Sequence, residues 1–305
     1  MKSQTSIVKR AWEITWKHKA LWLFGFLLAA MGAGGGDGRG GEGVRYTFES
    51  GRQLSPAAVV AIVIGVIGLV LVAIVVAAAV RMISQGALIG MVNQIEESGS
   101  TGIRSGFRTG WKHMLRLLGI DLLIGIPAAV VVVVTLLLAL APLLLLASRR
   151  PAAGTLGVVL MILFMLLWIA LLVVGGAVLS VILGLAHRHG VLQGLGVVDS
   201  LREGYHMARA NLGYVVKLWL LQVAIGLAVG LLAIPVLLVA FAFVAVPAAI
   251  VWGVTEASGP AAVVAVVLGI PVALALVVAA GIYQVYESAV WTLAFHELTV
   301  GATAA

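Results

Sequence analysis

Apolar residues in this chain fall into long unbroken blocks: Ala20–Ala33, Pro56–Val80, Leu117–Ala147, Ala152–Ala186, Tyr214–Trp252 and Ala261–Phe295. A helix rises about 1.5 Å per residue, so about 20 apolar residues cross a hydrocarbon core of about 30 Å. Five blocks exceed that length. The first is short and is expected to draw on Ile14 and Trp16 from the segment before it. Six transmembrane helices are therefore expected. Tyr214–Trp252 holds Pro235 and Pro247 but no polar break, and it reads as one kinked or tilted helix, or one whose end leaves the core. Pro127, Pro142 and Pro271 are expected to kink their spans. Pro56, Pro151 and Pro260 stand at block starts, where a missing N–H matters least.

The polar stretches between blocks divide into two kinds. Residues 32–55 are Gly-rich. No strand pattern precedes them and no Gly-Lys-Ser/Thr follows, so a phosphate cradle is not indicated and a flexible linker is. The other kind is basic and amphipathic. The N-terminal stretch could be read as a secretory leader, being basic, then apolar, then rich in small residues. Its basic part is long and carries Trp12, Glu13 and Trp16, so it is expected to be retained.

Three of these basic stretches resemble one another. Lys9-Arg10-Ala11-Trp12-Glu13, Arg108-Thr109-Gly110-Trp111-Lys112 and Arg202-Glu203-Gly204-Tyr205-His206 each read as a base, any residue, a small residue, an aromatic and a polar residue. The aromatics Trp12, Trp111 and Tyr205 are 99 and 94 residues apart. Arg104, Arg108, Lys112 and Arg116 recur every four residues and make one basic stripe beside an apolar face of Phe107, Trp111, Leu115 and Leu118. Lys9, Glu13 and Lys17 hold the equivalent stripe in the first copy, and Arg202 and His206 in the third, with Arg209 beyond them. Such helices suit the headgroup layer of an anionic leaflet. The fold class expected is an all-α integral membrane protein. It is one polytopic domain of three repeats (about 1–97, 98–195 and 196–300), each an interfacial amphipathic helix plus two spans.

Composition agrees with that architecture and adds an orientation. Of the 305 residues 62% are apolar and only 10% charged, too few for a water-soluble surface. The net charge is +7. Fourteen of the 19 Lys and Arg lie in the N-terminus and in the second and fourth loops, which share one side under six spans. Positively charged loops mark the cytoplasmic side, so both termini are expected in the cytoplasm of an inner-membrane protein. The expected partners are anionic inner-leaflet lipids and other membrane proteins, and not nucleic acid.

Motifs for chemistry are sparse. There is no Cys, which removes thiolate catalysis and Cys-ligated metals. His296-Glu297 begins a zincin pattern, but Val300 stands where the second His belongs. His187-Arg188-His189 has no third ligand nearby in sequence and is expected to face headgroups at a loop end. No Gly-x-Ser-x-Gly occurs. Neither a metal nor another cofactor is expected. Asp121, Lys217 and Glu287 lie within or at the edge of apolar blocks, and Gln222 lies about one turn deeper than Lys217. Together they are a candidate intramembrane polar cluster, as an ion relay or the floor of a cavity. The preferred reading is interfacial, with Lys217 snorkelling and Glu287 already outside the core. Gly226 with Gly230, and Gly86 with Gly90, have the spacing of close helix contacts. Lipid-headgroup contact is expected from Lys9, Lys17, Arg104, Arg108, Lys112, Arg116, Arg202, His206 and Arg209.

The layout resembles a group of poorly characterised bacterial six-span membrane proteins, similar to the membrane domain found beside some glycerophosphodiester phosphodiesterases. Residues 11–17 (Ala-Trp-Glu-Ile-Thr-Trp-Lys) with Leu21-Trp22-Leu23-Phe24-Gly25, and Ser200–Tyr205 with Arg209–Gly213, carry the resemblance. It brings no phosphodiesterase residues onto this sequence, so no enzymatic role follows from it. A non-catalytic scaffold or accessory protein is the leading expectation. A transporter or lipid-translocating protein is the alternative, and a membrane enzyme ranks last.

Overall fold

The computed structural model describes residues 4–33, 56–143 and 151–303. The Gly-rich linker lies, from residue 34 onward, outside the described residues. Among the described residues the chain is helical and holds no strand. In order it forms α1 (Gln4–Lys17), α2 (Ala20–Ala33), α3 (Pro56–Ser98), α4 (Ile103–Leu140), α5 (Pro151–Arg188), α6 (Val197–Ala210), α7 (Leu212–Thr255) and α8 (Ser258–Thr303). A π-helical turn, His189–Gln193, extends α5.

Five of these, α3, α4, α5, α7 and α8, are long and apolar enough to cross a membrane, which marks a multi-pass membrane protein. The sixth block differs from expectation. α2 has 14 residues, about 21 Å of helix. It borrows nothing from Ile14 and Trp16, because α1 ends at Lys17 and the chain turns at His18–Lys19. The long block does form one helix, α7, with Pro235 and Pro247 inside it. Pro127 and Pro271 also lie within helices. Pro142 does not: α4 stops at Leu140, since proline restricts the residue before it and supplies no N–H.

Packing divides the chain into two compact units, residues 1–114 with 218–305, and residues 115–217. In the first unit α1 lies on α8, and α2 lies against both α8 and α3. The buried residues cluster at one end of each long helix: Ala87–Ile89 and Met91–Val92 of α3, and Val285, Ala289–Val290 and Ala294–Phe295 of α8. They pack with Ala11, Ile14, Leu21 and Phe24. By contrast, Val60, Ile62–Ile64 and Leu69–Val72 of α3 and Val263–Ile270 of α8 are mostly exposed apolar surface, as a lipid-facing segment requires. Arg10 Nε meets Glu96 Oε1 at 3.0 Å, joining α1 to the buried end of α3. Trp12 sits edge-on to Tyr286 of α8, 6.2 Å between ring centres. α2 and α8 cross at Gly25 and Gly281, where a Cβ on Gly281 would stand 2.7 Å from the Phe26 nitrogen. In the second unit α6 folds back on α5. Trp168 of α5 donates to Thr135 Oγ1 of α4 at 3.1 Å.

The small residues of the three similar stretches are all buried. Ala11 is fully buried in α1, a helix that packs on α8. Gly110 of α4 faces the Ile83 carbonyl of α3 so closely that a Cβ would overlap it. Gly204 of α6 faces the end of α5, where a Cβ would lie 2.9 Å from the Ala186 nitrogen and 3.1 Å from the Ile182 oxygen. The three helices differ in how they continue. α1 breaks at His18, and α6 breaks at Asn211, whose Nδ2 donates back to the Met207 carbonyl at 3.2 Å. The same register position in the middle copy is Leu117, which offers the backbone no competing group, and α4 runs on without a break. The middle stretch is therefore continuous with the rest of α4.

Candidate functional site

The second unit holds a buried polar centre where α5 gives way to α6. His187, Arg188 and His189 are each only 3–5% exposed, contrary to the expectation that they face headgroups. A π turn follows directly. It widens the helix at His189–Gln193 and ends at Gly194, whose φ of 69° favours glycine. The amides of Gly194 and Leu195 both point at the His189 carbonyl. Arg116 of α4 donates from a guanidinium nitrogen to the Gly190 carbonyl at 2.7 Å. Gly190 leaves space for this approach; a Cβ there would lie 3.2 Å from Ile120 Cδ1 and 3.5 Å from Arg116 Cδ.

Asp121, one turn beyond Leu117, places Oδ1 2.7 Å from His187 Nε2. Next to it, His189 Nδ1 lies 2.7 Å from Gln193 Oε1, and Arg188 donates to the Gly184 carbonyl. The centre can hold a proton between a carboxylate and an imidazole. The Ser200 hydroxyl donates to the Leu195 carbonyl at 3.3 Å. Among the described residues no group of three or more His, Cys, Asp or Glu is placed to hold a metal ion.

Of the expected polar cluster, Asp121 and Lys217 lie in the second unit and Gln222 and Glu287 in the first. Within the second unit Asp121 pairs with His187, and Lys217 is exposed and makes no ion pair with a described residue of that unit. Gln222 and Glu287 belong to the first unit, where both are half-buried. Of the paired glycines, Gly226 faces the Tyr283 hydroxyl, which a Cβ would approach to 3.0 Å, and Gly90 faces Thr109, whereas Gly230 faces open space.

In the first unit the start of α4 carries the second candidate. Gln94 of α3 closes the turn into α4: Thr101 donates to its Oε1 at 3.0 Å, and Ser105 Oγ lies 2.6 and 2.8 Å from its amide nitrogen and oxygen. Beyond this anchor an open groove of about 940 Å³ is lined by Arg104, Ser105, Phe107, Arg108, Trp111 and Lys112. Phe107 and Trp111 stack with ring centres 6.0 Å apart. Arg104, Arg108 and Lys112 are exposed and form no ion pair with a described residue. Arg116, fourth in the stripe, leaves it for Gly190 and is half-buried. Lys9, Lys17, Arg202, His206 and Arg209 are all exposed.

Comparison with known proteins adds a family but no activity. A model for a family of unknown function (DUF7544) matches residues 16–298, so the chain belongs to that family. Nothing in that match supports an association with glycerophosphodiester phosphodiesterases. Neither a curated protein nor a solved structure matches the chain.

Proposed function

From a family membership that brings no activity with it, we propose that the chain is a non-catalytic scaffold or accessory protein of the cytoplasmic membrane. It crosses six times as three repeats, keeps both termini in the cytoplasm, and sets basic aromatic helices against anionic lipid of the inner leaflet. One observation carries this reading: Arg104, Arg108 and Lys112 are exposed and form no ion pair with a described residue, beside the exposed rings of Phe107 and Trp111. The closely packed ends of α3 and α8, together with α1, form the part that projects from the hydrocarbon.

Packing within the first unit supports six crossings independently of charge. Arg10 of α1 pairs with Glu96 at the far end of α3, so the N-terminal helix and that end share one side. α3 is 43 residues long, about 65 Å, and crosses; its start at Pro56 then lies on the opposite side. The chain between α1 and Pro56 must cross as well, and α2 lies within that segment. Trp12 against Tyr286 brings the closing end of α8 to the same side as α1. The three small-residue joints, at Ala11, Gly110 and Gly204, support the repeat.

A transporter is the second reading, favoured by the Asp121–His187 pair beside a π turn. The experiment for the first reading replaces Arg104, Arg108 and Lys112 with Gln and measures phosphatidylglycerol enrichment around the protein in mixed phosphatidylglycerol–phosphatidylcholine nanodiscs. At about 1 kcal/mol per base, the preference should fall by up to about 3 kcal/mol, roughly 100-fold. Unchanged enrichment would refute lipid contact at this helix.

A further inference from the structure

We propose that α6 binds a zwitterionic phospholipid whose headgroup carries a primary ammonium beside its phosphate, with Arg202 and Arg209 meeting the phosphate and Asp199 and Glu203 the ammonium. α4 keeps the anionic lipid of the reading above, and α6 takes a different one; the two share only the placing of these helices in the headgroup layer. Charge separates them. Over residues 103–114 of α4 the cations Arg104, Arg108 and Lys112 stand with no acidic residue among them. α6 sets Arg202 and Arg209 against Asp199 and Glu203, so its formal charge is zero with His206 neutral. An anionic leaflet attracts the first helix and exerts no net pull on the second.

The face that α6 presents is fixed by its packing. Ser200, Gly204 and Ala208 recur every four residues and are buried, and Gly204 lies against Ile182 and Ala186 of α5. At about 100° per residue, the other side of the helix shows three rows in sequence. Val198 and Tyr205 form an apolar row, 66% and 46% exposed. Arg202, His206 and Arg209 form a basic row beside it, and Asp199 and Glu203 an acidic row beyond that, all exposed. Residues three or four apart on a helix stand about 5–6 Å apart at Cβ. Asp199 is thus a neighbour of Arg202, yet Asp199, Arg202, Glu203 and Arg209 form no ion pair with a described residue. His206 rests edge-on to the Tyr205 ring, 5.9 Å between ring centres.

Apolar, basic, acidic is the order of acyl chain, phosphate and ammonium in an ethanolamine phospholipid. A headgroup with negative charge alone would set like charge against Asp199 and Glu203. A trimethylammonium headgroup has the positive charge but no N–H to donate to the two carboxylates, so hydrogen bonding selects the primary amine.

The test uses the full chain in phosphatidylcholine nanodiscs doped with phosphatidylethanolamine or phosphatidylglycerol, with bound lipid counted by native mass spectrometry. Phosphatidylethanolamine is expected to be retained about fivefold more tightly than phosphatidylcholine. Asp199→Asn with Glu203→Gln should abolish that preference. By leaving two arginines uncompensated, it should also raise phosphatidylglycerol retention by up to about 30-fold. Asp199 stands in the first turn of α6, where a carboxylate favours the helix. If its replacement lowers the thermal midpoint, Glu203→Gln alone carries the test and should cut the preference to about twofold. Arg108→Gln on α4 should lower phosphatidylglycerol retention and leave the ethanolamine preference intact. Equal retention of phosphatidylethanolamine and phosphatidylcholine by the parent would overturn the proposal, as would a preference that survives loss of both carboxylates. Full displacement of the lipid by free phosphoethanolamine would overturn it too, since the site would then take a soluble ligand. Failure of the anionic-lipid reading would appear separately, as phosphatidylglycerol retained no better than phosphatidylcholine while the ethanolamine preference stands.

Discussion

Adding one methyl group at Gly204 is a sharp probe of how the helices are joined. A Cβ there would lie 2.9 Å from the Ala186 nitrogen and 3.1 Å from the Ile182 oxygen, both backbone atoms that cannot swing aside. At Gly110 it would overlap the Ile83 carbonyl. Either Gly→Ala change must push two helices apart, and overpacking of this kind costs about 1–3 kcal/mol. Alanine's better helix propensity returns at most about 1 kcal/mol. The net destabilisation should lower the thermal midpoint by about 2–4 °C per kcal/mol lost. Detergent-solubilised protein, monitored by fluorescence-detected gel filtration after heating, reads this directly. Gly125→Ala and Gly230→Ala are the controls, because nothing lies within 4 Å of a Cβ at either position. Their midpoints should stay within about 2 °C of the parent. If all four variants behaved alike, the close joints at Gly110 and Gly204 would be wrong.

Other substitutions separate the two candidate sites. Asp121→Asn should leave His187 with a weaker partner and destabilise the protein by about 1–3 kcal/mol, read by the same heating assay. In liposomes, loss of solute or lipid movement in that variant would favour the transporter reading. Arg116→Gln should strand the buried Gly190 carbonyl and cost about 1–3 kcal/mol, in contrast to Arg108→Gln, which should leave stability unchanged. Arg10→Ala removes the partly exposed pair with Glu96 and should lower stability by less than about 1 kcal/mol, an effect that added salt should mask.

Much of the fold was legible because a bilayer enforces simple rules. Block length separated α3, α4, α5, α7 and α8 from the rest, and the stripe from Arg104 to Lys112 was visible as a four-residue period. The short register Lys9–Glu13, Arg108–Lys112 and Arg202–His206 marked the small residues, although only three dimensions show what Gly110 and Gly204 approach. What escaped the sequence depended on distant partners. His187 meets Asp121 across 66 residues, and nothing local distinguishes it from a headgroup-facing histidine. Arg116 continues the stripe in spacing but is drawn to Gly190 by the π turn, which no periodicity announces. The break after α1 was missed because Ile14 and Trp16 extend the apolar run, while His18 and Lys19 end the helix between them and α2. The sequence does carry one pointer to the pair: Asp121 sits in an apolar block and needs a partner, and His187 is the polar residue at the close of the next block.

The sidedness of the packed ends tests the whole proposal most directly. The chain has no cysteine, and Gly102 and Gly259 are exposed with nothing within 4 Å of an added Cβ, so Gly102→Cys and Gly259→Cys should fold as the parent does. A membrane-impermeant maleimide applied to right-side-out membrane vesicles should label Gly259→Cys, at the start of α8, and should reach Gly102→Cys, beside the basic groove, only after the vesicles are opened. Labelling of Gly102→Cys in sealed right-side-out vesicles would place the groove away from the inner leaflet and contradict the proposed function.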